Sequence, residues 1–325
     1  MMALLLLTSF FEFDTARALY RAEQYRLALK HLDASEAAGE VAPLRPLYRG
    51  MSLAQLGRWQ AAADVLDPVV QSQPTNSDAW YWLGASRYYL NRLEQAYASL
   101  NKALELRPED ADAYRMRGLV HIKQNRWNEG YRDWLKAARL NPRDVKTRYY
   151  LGRLFQEAEQ KDQAKLWLTE ALKISPNHFE AMTYLAMCED DTNRATELFR
   201  SAIRTSFAQK QPYSWAYLGL GQLHRRLDRT DHARQVLEEG VRVAPEPHLL
   251  NELAKLLLAV NETAEAERLL RRVLEQDSTI SQAHYQLARL LSSTGRQEQA
   301  KGQMELFRQA KEAETNKPKV KVAIR

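Results

Sequence analysis

Ser77-Asp78-Ala79-Trp80-Tyr81-Trp82-Leu83-Gly84 opens a stretch that resumes at Glu94-Gln95-Ala96-Tyr97-Ala98-Ser99-Leu100-Asn101-Lys102-Ala103-Leu104-Glu105-Leu106 and closes on Arg107-Pro108. Ala, Leu, Gln, Glu and Lys dominate its second half, and all are strong helix formers. Pro108 lacks an N–H and disfavours helix in the residue before it, so it stops the second helix. The stretch therefore predicts two helices joined by a short turn.

The pattern repeats along the chain. Small residues recur every 34 positions on the first helix at Ala16, Gly50, Gly84, Gly118, Gly152 and Ala186, and on the second at Ala28, Ala62, Ala96, Gly130 and Ala164. A large apolar series follows at Leu32, Leu66, Leu100, Trp134 and Leu168, and Pro74, Pro108, Pro142 and Pro176 close their units. Helices that cross closely need small residues at the crossing. After the prolines, Asn76-Ser77-Asp78, Glu109-Asp110 and Arg143-Asp144 offer side-chain acceptors to the free N–H groups that begin a helix.

This set of residues resembles the tetratricopeptide repeat over nearly the whole chain. The units fall at 9–42, 43–76, 77–110, 111–144, 145–178, 179–211, 214–247, 247–280 and 281–314, with an apolar segment at 1–8 and a basic tail, expected to be disordered, at 315–325. The resemblance implies an all-α fold: a right-handed superhelical solenoid of about nine stacked helix-turn-helix pairs with an inner groove. It also implies a protein-protein interaction scaffold or adaptor without catalysis.

Composition agrees with helices. Gly (12) and Pro (11) are scarce among 325 residues, which disfavours a turn-rich β fold. The net charge is +6, but Lys317, Lys319, Lys321 and Arg325 carry +4 of it, leaving 43 bases against 41 acids in the body. A nucleic-acid binder concentrates a basic stripe in its folded body, so nucleic acid is disfavoured as a partner. Cys188 stands alone, which excludes an intramolecular disulfide and any multi-cysteine metal site.

The register slips once. The steps from Ala164 to Ala195 and Ala195 to Ala233 are 31 and 38, which predicts a shortened turn at Asp190-Asp191-Thr192-Asn193 and a longer connection at Phe207–Pro212.

A search for chemistry yields none. The seven histidines make no His-Glu-x-x-His pair. Gly219-Leu220-Gly221 has no preceding strand and no third glycine, so it is no nucleotide fingerprint, and Gly221 falls on the small packing position. No cofactor, metal or small-molecule substrate is implied. Cys188 lies on a first helix and reads as packed.

The family resemblance places groove residues at the second, fifth, ninth and twelfth positions of first helices. Carried onto this chain, these are Tyr81, Tyr88, Asp112, Arg115, Lys146, Tyr149, Arg153, Gln156, Trp215, Gln222, Arg225, Asn251, Lys255, Gln282, Tyr285 and Arg289. Positions three or four apart share a helix face, and Tyr and Arg are favoured at binding hot spots. The expected partner is a protein or peptide of acidic or aromatic character. A clamp for chaperone C-terminal carboxylates needs asparagines that are absent here: Leu47, Met51, Tyr81, Ala85, Arg115, Leu119, Tyr149 and Arg153 occupy the fifth and ninth positions.

Met1–Phe11 is apolar, with Leu4 to Leu7 consecutive, but no Lys or Arg precedes it and Glu12 and Asp14 follow. A cytoplasmic setting is expected. The alternative is a periplasmic or secreted assembly factor, or a membrane-associated one, with residues 1–18 acting as a signal or anchor. An apolar first helix without a polar cap calls for a cover. Deletion of residues 1–11 is therefore expected to change solubility or oligomeric state, as read by light scattering.

Overall fold

The computed structural model describes residues 12–316, 318–320 and 322. The apolar segment 1–8 lies outside the described residues. Among those described, eighteen α-helices and no strands are present. They pair in chain order: α1 (Glu12–Arg21) with α2 (Tyr25–Ala37), α3 (Arg45–Gln55) with α4 (Trp59–Ser72), α5 (Ser77–Tyr89) with α6 (Leu93–Leu106), α7 (Ala111–Lys123) with α8 (Trp127–Leu140), and α9 (Val145–Glu157) with α10 (Lys161–Ile174). The sixth to ninth pairs are α11 (Phe179–Cys188) with α12 (Thr192–Ala208), α13 (Ser214–Arg226) with α14 (Thr230–Val243), α15 (Pro247–Ala259) with α16 (Thr263–Gln276), and α17 (Ser281–Ser293) with α18 (Gln297–Thr315). Two compact units result, one holding α1–α8 and the other α9–α18. Within each, helices pack on their chain neighbours and on the next pair.

Where the small residue of a first helix is the glycine at 50, 84, 118, 152 or 221, it faces the large apolar residue sixteen positions on. A methyl group on Gly50 would sit 2.5 Å from Leu66 Cγ, on Gly84 2.7 Å from Leu100 Cγ, on Gly152 2.5 Å from Leu168 Cγ, and on Gly221 2.5 Å from Leu237 Cδ2. These four leucines are fully buried. In the fourth pair the large residue is Trp134, seated over Gly118, and its Nε1 donates to the Arg115 carbonyl at 3.0 Å. A buried indole needs that partner. Gly219 serves a different contact, beneath the Phe199 ring of the preceding pair.

Both ends of the helices are specified locally. Asn76 accepts from the Ala79 N–H at 3.1 Å, Asp110 from Ala113 at 2.9 Å and Asp144 from Lys146 at 3.1 Å. His178 occupies the next place in this series, and its Nδ1 accepts from the Ala181 N–H at 3.3 Å. Gln73, Arg107, Asn141 and Ser175, each before a proline, leave the helix with φ between −136° and −124°. The turns inside the pairs pass through the left-handed region at Glu23, Gly57, Asn91, Asn125 and Glu159, again 34 apart, with φ from 59° to 73°.

The sixth pair departs from this plan. Its turn is cut to Glu189–Asp191, with Asp191 capping α12 through the Asn193 N–H at 2.9 Å, and it contains no left-handed residue. Helix α12 runs to Ala208, so Phe207 and Ala208, expected in a long connection, are helical and the linker shrinks to 209–213. After α18, Val320 is half-buried and Val322 is buried, a defined placement within a tail for which the sequence predicts disorder.

Buried ion pairs tie second helices to first ones. In the first unit, Arg117 donates to Asp133 through Nε (2.8 Å) and Nη2 (2.7 Å), and to Asn101 through Nη1 at 2.6 Å. Asp133 is 6% exposed, so the paired geometry offsets a large desolvation cost.

Gly84→Val is expected to cost about 1–3 kcal/mol by overpacking, and Leu100→Ala about 2–5 kcal/mol by leaving a cavity. The double variant should be more stable than the sum of the two losses implies, by about 1 kcal/mol or more. Urea denaturation of the four proteins checks this.

Candidate functional site

A cavity of about 580 Å³ opens on the second unit. Its walls come from four successive first helices: Gln156 on α9, Ala186 and Met187 on α11, Gly219, Gln222, Arg225 and Arg226 on α13, and Glu252 and Lys255 on α15, with Phe199 of α12 behind. Four residues expected from sequence meet here: Gln156, Gln222, Arg225 and Lys255. They fall together because successive pairs present the same face of their first helices.

Glu252 organises the polar side. Its side chain is 4% exposed and accepts from Arg225 Nη1, from Gln222 Nε2 at 3.3 Å and from Lys255 Nζ at 3.5 Å. A buried carboxylate needs such partners, so part of the positive charge on Arg225 and Lys255 is already used within the site. Arg226 is not among the hydrogen-bond partners of Glu252. Glu252 was not among the residues expected from sequence. A charged residue within the apolar run Leu249-Leu250-Asn251-Glu252-Leu253 is the signal that would have found it.

Tyr149 and Arg153 belong to a neighbouring aromatic cluster rather than to the cavity wall. The Tyr149 ring lies 5.7 Å from Tyr184 and 5.1 Å from His178, and Phe179 lies 5.4 Å from Tyr213. The phenols of Tyr149, Tyr184 and Tyr213 lie within electrostatic reach of one another, and Tyr149 lies beside Arg153. Burial pushes all three phenols above their ordinary range. Arg153 Nε also pairs with Glu157 at 3.0 Å.

The remaining expected residues scatter. Trp215 is 41% exposed and stacks on His248 at 4.3 Å. Asn251 is buried. Lys146 is exposed at the start of α9. Tyr285 packs on Phe307 at 5.3 Å with the exposed Arg289 over its ring, and Gln282 lines a second cavity beside α18. In the first unit, Tyr81 is half-buried against Ala85, Leu100 and Met116, and Lys123 Nζ sits 4.5 Å over the Tyr88 ring. Arg115 pairs with Asp112 at 2.6 Å.

Among the described residues, no group of three His, Cys, Asp or Glu side chains could hold a metal ion, and no helix is long and apolar enough to cross a membrane. Cys188 is buried, which pushes its thiol up to about 11, so it is almost wholly protonated at neutral pH.

His178 ties this region to pH. Burial lowers its pKa, outweighing the pull of Glu180 in the other direction, and the charge of Lys146 lowers it further. Its Nδ1 can cap α11 only while unprotonated. The folded state thus holds fewer protons than the unfolded chain, whose histidine titrates near about 6.5. This contribution to stability is complete above that pH and is lost as pH falls below it. Stability should decline between about pH 7 and pH 5, and His178→Asn, which caps without titrating, should make the decline shallower. His121, His224 and His248, lowered in the same sense, retain the rest of the slope. Thermal melts across that range check both statements.

Models of the tetratricopeptide repeat match residues 13–76, 47–87, 145–178, 214–239 and 251–313, and a TPR repeat model matches 86–125. No curated protein sequence matches the chain. Among solved structures, the APC/C hetero-tetramer Cut9-Hcn1 aligns with a TM-score of 0.66 at 17% identity, over 85% of this chain. This chain spans 55% of that one's length. A tetratricopeptide repeat protein from Parabacteroides merdae aligns with a TM-score of 0.58 at 15% identity, covering 82% of this chain and 98% of its own. An IFIT1 monomeric mutant with Gppp-AAAA aligns at 0.54 and 14% identity, over 91% and 80%. At such identities these likenesses speak for the fold alone.

Proposed function

The chain belongs to the tetratricopeptide-repeat family, and we propose that it is a protein-interaction scaffold whose second unit holds a segment of a guest protein along the first helices of the fifth to eighth pairs. The cavity built from those four helices carries this reading. Six of its ten lining residues are polar or charged: Gln156, Gln222, Arg225, Arg226, Glu252 and Lys255. Small-molecule sites are mostly apolar with a few polar groups, so this balance suits a peptide backbone and its side chains better.

Three cations face one carboxylate there, which leaves net positive charge for acidic residues of the guest, while Met187 and Phe199 accept an apolar side chain. Arg225 is a poor choice for a test, because removing it takes a partner from the buried Glu252 and confounds binding with folding. Met187 and Arg226 line the cavity and are not among the hydrogen-bond partners of Glu252.

Peptides selected from a random display library on the purified chain should be acidic with at least one large apolar residue. They should bind a Met187→Ala/Arg226→Ala double variant at least ten-fold more weakly, about 1.4 kcal/mol, measured by fluorescence anisotropy. Circular dichroism confirms that the variant is folded. Equal affinity for variant and native chain would remove the cavity from the function.

A further inference from the structure

Beyond α18 the chain continues Asn316-Lys317-Pro318-Lys319-Val320-Lys321-Val322. Pro318 and Lys319 are exposed, Val320 is half-buried and Val322 is 7% exposed. The Val322 carbonyl accepts a 3.0 Å hydrogen bond from Gln160 Nε2, a residue 162 positions earlier. Gln160 sits in the turn between α9 and α10, at the N-cap of α10, yet its side chain makes no capping bond. Its carboxamide is spent instead on the backbone of a distant segment.

The composition of that segment fits the contact. Pro and β-branched Val favour extended backbone. Side chains alternate across an extended strand, which accounts for Val320 and Val322 facing inward while Lys319 stays in solvent. The receiving turn, Glu157-Ala158-Glu159-Gln160, is acidic in sequence and the segment is rich in lysine, although Glu157 already pairs with Arg153.

We propose that this turn of the fifth pair is a docking site for an extended segment in which lysine alternates with valine in sequence, and that the chain's own Val322, with residues 318–320 before it, fills it in cis. The proposal does not rest on the cavity reading. One hydrogen bond and one buried valine make a weak contact in trans. Tethering gives an effective concentration of the order of millimolar, which holds such a contact closed.

The test uses the complete chain and a fluorescent peptide spanning residues 316–325. In the native chain the tethered segment should keep the peptide out. A Val322→Asp chain places a carboxylate where the valine is buried, so its own segment should release and the peptide should bind at least ten-fold more tightly than to the native chain. Adding Gln160→Ala to that variant should cancel the gain. Equal binding to the native and Val322→Asp chains, or a gain that survives Gln160→Ala, would overturn the proposal.

Discussion

Five of the pairs share one close approach: a glycine on the first helix, against a leucine or tryptophan sixteen positions later on the second. At Gly50, Gly84, Gly152 and Gly221 there is no room for even a methyl group beside the facing leucine. That contact sets the distance between the two helices of a pair, and hence which faces remain to meet the next pair. The caps at Asn76, Asp110, Asp144 and His178 then fix where α5, α7, α9 and α11 start.

The cavity of the second unit follows from that regularity, but its electrostatics do not. Arg225 and Lys255 read as available cations until Glu252 is seen beneath them. A buried acid of this kind orients the cations and spends part of their charge, leaving Arg226 as the cation it does not engage. Arg153 lies beside Tyr149 and Tyr184, whose phenols burial pushes upward, and it pairs with Glu157.

The fold was legible in the sequence because its determinants are local and periodic. Gly84 and Leu100 lie within one repeat, and the prolines and caps act on their own helix. Position on a repeat also picked out Gln156, Gln222, Arg225 and Lys255, since neighbouring first helices share a face. It says nothing of the burial of Asn251, or of the aromatic neighbours of Tyr149. Those outcomes depend on which side chain a neighbouring pair supplies, and periodicity carries no information about that. Glu252, Tyr184 and Tyr213 were missed for the same reason. The contact between Gln160 and Val322 spans 162 residues and obeys no period at all.

The irregular sixth pair shows how such a chain absorbs changes in its length. Its small-residue step is three short of 34 and the next is four long, so the two nearly cancel. The missing residues come out of the turn before α12, and the surplus is taken up by extra helix at its end and by the linker. At Gly221 the small residue again faces its large partner sixteen positions later, Leu237. Insertions and deletions at these joints are thus corrected within one repeat, and the chain can gain or lose residues there without putting downstream repeats out of phase.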